Sequence, residues 1–183
     1  MKAKALCGII GGIIPAVTVI AFALHLLMKE IPLNVVSWIL WTILDVVLVI
    51  TAIAAGNKRP WLPLGYTFGA ALVTIILWNR GLWEFGFAEG ISILGVVTAL
   101  VVWCFVSARG AIIIASIAKI IAALPQAYDF WITPNPSTWW LWSFVAVGCF
   151  LSIIGARSWT IEDRFFPVAS GLFNLSMVIL VLR

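Results

Sequence analysis

The sequence predicts an all-α integral membrane protein: seven transmembrane helices, set out as two parallel three-helix repeats joined by a linker helix (3+1+3). Three observations predict it, namely the composition, the number of bilayer-length apolar runs, and an internal repeat written in uncommon residues. The chain is 64% hydrophobic and 10% charged, with a mean hydropathy of +1.17, whereas a soluble domain carries about 25% charged residues. Crossing a hydrocarbon core of about 30 Å takes roughly 20 apolar residues as a helix. Seven runs meet that length, at about 5–28, 35–56, 61–79, 90–107, 110–131, 138–156 and 164–182. They use nearly the whole chain and leave no room for a soluble domain.

The first run follows Met-Lys-Ala-Lys and has the look of a secretory signal, but it is longer than a signal needs and no A-x-A-like site ends it. It is read as the first spanning helix. The second run contains VVLVITAIAAG, apolar on every face, which excludes the alternating segments of a membrane barrel. The remaining runs are separated by short stretches holding most of the charge and several prolines. With the N-terminus on side one, that side receives seven basic residues: Lys2, Lys4, Lys58, Arg59, Arg109, Arg157 and Arg164. The other side receives three, Lys29, Arg80 and Arg183. Basic residues mark the cytoplasmic side, so a cell-membrane protein with its N-terminus inside and its C-terminus outside is expected. The basic balance is thus a topology signal and gives no reason to expect nucleic acid.

Sliding the sequence by 101 positions lays residues 9–42 over residues 110–143. Asn34 then meets Asn135, Ser37 meets Thr138, Trp38 meets Trp139, Leu40 meets Leu141 and Trp41 meets Trp142, while His25 falls on Gln126. After a three-residue slip Pro63 meets Pro167. The expected organisation is a first bundle over 1–79, a linker with helix 4 over 80–109, and a second bundle over 110–183. A single crossing between two three-helix copies leaves both in the same orientation, an arrangement of parallel repeats that places a solute path at their interface.

The stretch LPQAYDFWITPNPSTWWLWSF, residues 124–144, has a Pro-Gln pair near the end of helix 5, a short polar loop, and Trp-rich sequence opening helix 6. It resembles a PQ-loop, and with the 3+1+3 plan the chain is similar to the SWEET/PQ-loop transporter group and to the PnuC vitamin-precursor transporters. The resemblance implies alternating access loosened by prolines. It also implies a solute site lined by a tryptophan of the second helix and an asparagine of the third. By position Pro125 and Gln126 match the loop motif, Trp139 or Trp142 the aromatic, and Asn174 the asparagine. In the first copy Leu24-His25 stands where the Pro-Gln pair would be, and Ala70 where Asn174 has its counterpart, so the expected site is asymmetric.

Individual residues carry two readings each. Pro15 and Pro125 lie within spans, as hinges or as static kinks. Trp38, Trp139 and Trp140 near helix starts suit an aromatic belt, and Trp41 and Trp142, a turn deeper, suit stacking on a sugar or heterocycle. Trp41 shares a helix face with Trp38, and Trp142 with Trp139, by i, i+3 spacing. Asp45 and Lys119 lie about ten residues into helices 2 and 5, at matching depth near the midplane, where a lone charge costs several kcal/mol. They are expected to pair, either to hold the bundles together or to serve the path. His25 nears the outer end of helix 1, as a gate that titrates near neutral pH or as a satisfied interfacial side chain. Asn174 needs a partner in another helix or in a ligand, and Ser170 and Tyr66 are weaker candidates of the same kind.

Cys7, Cys104 and Cys149 have no metal or redox spacing. No hydrolase, zinc-protease or nucleotide-loop motif is present, so neither an enzyme, a cofactor nor a metal site is expected. A seven-helix photoreceptor would need a lysine in the last helix, and RFFPVASGLFNLSMVILVL before the C-terminal Arg183 has none. The expected function is transport of a small neutral polar solute, sugar- or nucleoside-like, by alternating access between the two bundles. The competing expectation is a non-transporting subunit or scaffold that binds partner helices through its Trp-rich faces. The partners expected are the lipid bilayer and the solute, with homo-oligomers or membrane partner subunits left open.

Overall fold

A computed structural model describes residues 2–28 and 33–183. Lys29, Glu30 and Pro32 lie outside the described residues, as do the side chains of Ala88, Pro125 and Asp129. The chain forms α1 (Lys2–Met28), α2 (Val35–Ala54), α3 (Trp61–Leu77), α4 (Phe87–Phe105), α5 (Ala108–Ile132), α6 (Trp139–Gly155) and α7 (Ile161–Leu182), with a 3₁₀ turn at Pro136–Thr138 before α6. Among the described residues the one β-type pairing is a bridge between Asn34 and Leu82. Four stretches are long and apolar enough to cross a membrane: α1, α2, Pro136–Gly155 and α7. Bent α5 makes a fifth if its two segments form one span, and α3 and α4 are apolar but shorter. The chain is a multi-pass membrane protein.

Burial follows the membrane pattern. Large apolar side chains such as Phe68, Ile75, Phe150 and Ile179 face outward, while Asp45, Thr51, Ser116, Ser170 and Asn174 are buried. In lipid the outward face can be fully apolar, and each polar group must find its partner inside the protein.

The helices pack in a definite order. α3 lies against both α1 and α2, and α7 lies against both α5 and α6. α1 packs on α6, α2 packs on α5, and α4 covers α5 and touches α2. The α1–α6 contact is built from backbone. A Cβ on Gly155 would run into the backbone of Gly8, one on Gly11 into Ser152, and one on Gly148 into the ring of Pro15. The pairs 8/155, 11/152 and 15/148 show the two helices running antiparallel at close range, the approach small residues permit in membranes. On the other side of α1, a Cβ on Gly65 would strike the carbonyl of Gly12, so α3 is also seated by a missing side chain.

Polar side chains fix the starts of α2 and α4. Asn34 Oδ1 accepts from Val36 N at 3.0 Å and starts α2. Sequence periodicity places the fourth span at about 90, yet α4 begins at Phe87. The cause is Glu89, whose Oε2 accepts from Gly86 N at 3.0 Å and caps the first turn. Its Oε1 accepts from Asn34 Nδ2 at 2.9 Å and from Ser37 Oγ at 2.6 Å. One buried carboxylate therefore ties the start of α4 to the start of α2.

Candidate functional site

The best-formed cavity, of about 70 Å3, lies between the α1–α3 and α5–α7 helix sets. It is roomy enough for several water-sized groups. α2 contributes Trp38, Trp41 and Asp45; α3 contributes Tyr66 and Ala70; α5 contributes Ser116, Lys119 and Ala123; α6 contributes Leu141 and Trp142; α7 contributes Phe166, Ser170, Phe173 and Asn174. The spacings are helical. Residues 38, 41 and 45 share one face of α2, and residues 166, 170, 173 and 174 share one face of α7.

Asp45 and Lys119 form a hydrogen-bonded ion pair that joins α2 to α5. The Asp45 side chain is 0% exposed and that of Lys119 14%. In a low-dielectric interior each charge offsets part of the other's desolvation cost, which neither could bear alone. The Lys119 ammonium also sits over the Tyr66 ring, 4.0 Å from its centroid, and 5.3 Å from that of Phe166, where the ring faces favour a cation. Asp45 uses Oδ1 for Lys119, and its Oδ2 has no partner.

Next to the pair, a second polar group links α3 to α7. Tyr66 Oη is 2.8 Å from Ser170 Oγ and 3.5 Å from Cys149 Sγ. Asn174 Nδ2 donates to Tyr66 Oη at 3.1 Å and to the Ser170 carbonyl at 2.7 Å. Asn174 thus has partners within the protein.

The aromatic walls are edge-packed. Trp38 and Trp41 meet at 5.0 Å and 64°, and Trp142 meets Phe130 at 6.1 Å and Phe173 at 6.4 Å, both near perpendicular. Phe22 in turn stacks on Trp38, with centroids 6.1 Å apart and an interplanar angle of 25°. The indole N–H groups of Trp41 and Trp142 are buried without partners.

Of the sequence candidates, Trp38, Trp41, Trp142, Asn174, Asp45 and Lys119 come together here. Trp139 does not: it is the first residue of α6, is 48% exposed and lies off the cavity, while Leu141 and Trp142 further along α6 line it. His25 and Gln126 are half-buried and do not line the cavity. Pro15 is buried in α1 against Gly148. Position 125 stands where the segments Ala108–Leu124 and Gln126–Ile132 meet at 42°, the bend expected where a proline removes a backbone donor.

A second cavity, of about 40 Å3, lies toward the N-terminal end of α1, between Leu48 and Ala52 of α2, Ile112 of α5 and Ser152 of α6. Its polar rim includes Asn57, Arg59, Arg157, Glu162 and Asp163, and Phe166 borders both cavities. At this rim Asn57 Nδ2 donates to the Glu162 carbonyl at 2.9 Å, and Arg109 forms a two-pronged pair with Glu162 at 2.9 and 3.0 Å.

Sequence reasoning passed over Phe166, Phe173, Ser116 and Glu89. The only signal for the two phenylalanines is helical spacing, Phe166 lying four residues before Ser170 and seven before Phe173, which an all-apolar helix hides. Among the described residues no three His, Cys, Asp or Glu side chains come together to hold a metal ion. No protein-family model, curated protein or solved structure matches the chain.

Proposed function

We propose that the chain is a small solute transporter that moves a neutral polar molecule, sugar- or nucleoside-like, by alternating access between two three-helix bundles. The observation that carries this reading is the cavity itself. It lies between the two helix sets, takes walls from both, and holds a balanced ion pair with unsatisfied polar atoms beside it. A scaffold has no need of such costly interior groups.

The packing order supports the bundle plan. Exchanging α1, α2 and α3 for α5, α6 and α7 carries the α1–α3 contact onto α5–α7, the α2–α3 contact onto α6–α7, and the α1–α6 contact onto α5–α2. Trp41 and Trp142, matched by the repeat, line the same cavity. The two cavities, with Phe166 between them, suit a path whose halves open in turn. This organisation is the one implied by the resemblance to the SWEET/PQ-loop and PnuC groups.

Uptake into proteoliposomes, measured against sugars, nucleosides and amino acids, tests the reading. Saturable uptake of one class is expected, and silence across the panel would favour a subunit that binds partner helices instead.

The proposed orientation has the N-terminus in the cytoplasm, on the seven-to-three division of basic residues. A topology reporter fused after Arg183 is expected to read outside. A cytoplasmic signal there would reverse the orientation and leave the cavity unchanged.

A further inference from the structure

Among the described residues, three polar atoms on side chains lining the larger cavity have no hydrogen-bond partner: Nε1 of Trp41, Nε1 of Trp142 and Oδ2 of Asp45. Two are donors and one is an acceptor. Several other polar groups around the cavity have partners within the protein. The Tyr66 hydroxyl, the Ser170 hydroxyl and the Asn174 amide bond to one another, and Ser116 donates to the Ile112 carbonyl at 2.7 Å. A buried polar atom left alone calls for an explanation, and three on side chains that line one cavity are consistent with a ligand there.

The charge and shape of the cavity narrow that ligand further. Lys119 balances Asp45, so neither a cation nor an anion would find an uncompensated charge. Trp38, Trp41, Trp142, Tyr66, Phe166 and Phe173 make the walls aromatic, which suits a flat ring. Resting on the transport reading above, we infer that the solute is a neutral cyclic imide or lactam, as in a pyrimidine base. The Trp41 and Trp142 indoles donate to its carbonyls, and Asp45 Oδ2 accepts from its ring N–H. An aldohexose is a poor match. It brings five hydroxyl groups, each a donor and an acceptor, to walls made mostly of aromatic and aliphatic side chains, where hydroxyls left without partners would be costly to bury.

The test uses the purified full chain, with binding followed by intrinsic tryptophan fluorescence and by equilibrium dialysis. The probes are 1-methyluracil, which keeps the N–H between its two carbonyls, 1,3-dimethyluracil, which lacks it, and D-glucose. Expected are saturable binding of 1-methyluracil, binding of the dimethyl compound weaker by about tenfold or more, and no glucose binding over the same range. Trp142→Phe keeps a ring and removes one N–H, and it should weaken 1-methyluracil by about tenfold in a protein that still elutes as wild type. The ligand comparison stands even if that variant fails to fold.

Equal affinity for the two uracils overturns the assignment to Asp45. Glucose binding and uptake without uracil binding overturns the ligand class and leaves transport standing. No binding of any probe, together with no uptake across the solute panel, overturns both.

Discussion

Asp45→Asn and Lys119→Met, made singly, are each expected to destabilise the protein by about 3–5 kcal/mol, and made together to restore most of that loss. The magnitude follows from burial. With the Asp45 side chain 0% exposed and that of Lys119 14%, removing either partner strands the other charge in a low-dielectric interior. Removing both leaves neutral side chains of similar size, and the α2–α5 contact closes over them. Thermal unfolding in detergent, read by monodisperse recovery after heating, gives the four stabilities of the cycle. Additive losses in the double variant would mean that the two charges do not stabilise one another, and the pair would have to be abandoned. The recovered double variant then separates structure from transport. As a member of the solute site, Asp45 takes ligand recognition with it, so the folded double variant should transport poorly. Normal transport by that variant would reduce the pair to a tie between helices.

Gly155→Leu is expected to be the most damaging single change at the α1–α6 crossing. Its Cβ alone would enter the backbone of Gly8, and backbone cannot turn aside as a side-chain tip can. Overpacking typically costs about 1–3 kcal/mol and occasionally more, and an obstacle of main-chain atoms places this case at the upper end. Gly90→Ala supplies the contrast. A Cβ at Gly90 meets nothing within 4 Å, and exchanging glycine for alanine in the α4 helix should leave stability unchanged or raise it by up to about 1 kcal/mol. Expression level and detergent melting temperature report both variants. A Gly155→Leu protein as stable as wild type would show that α1 and α6 do not meet as described.

Much of this architecture can be read from the residues alone. Hydropathy locates the helices because lipid demands long apolar runs, and each run corresponds to a helix within a few residues. Depth along helices 2 and 5 is enough to match Asp45 with Lys119, since two midplane charges have few other places to go. Trp142 and Asn174 come from the repeat and the motif. Rotation about the helix axis is harder to read. In a helix that is apolar all round, no polar face marks which side is inward, so Trp139 and Trp142 look equivalent by sequence although α6 turns Trp142 in and Trp139 out. Phe166 and Phe173 are hidden for the same reason. Glu89 is hidden differently. It reads as a solvated loop charge because its partners, Asn34 and Ser37, are more than fifty residues away and come close only when α4 docks beside α2.

The glycine contact between α1 and α6 also has a mechanical consequence. Where two backbones touch with only small side chains and a proline ring between them, a small tilt of one helix on the other disturbs less packing than it would between large interlocked side chains. The opposite edge of the interface, α2 against α5, is held by charge. On the alternating-access reading proposed above, a relative rotation of the two helix sets would have its fulcrum along the Gly8–Gly155 and Gly11–Ser152 line, like a book turning on its spine. Displacement would grow with distance from that spine and be greatest at the α2–α5 edge, which α4 covers. Asp45 and Lys119 sit at that edge as the clasp, where a small movement at the fulcrum becomes the widest opening and where a bound ring would have the most leverage over whether the clasp stays shut.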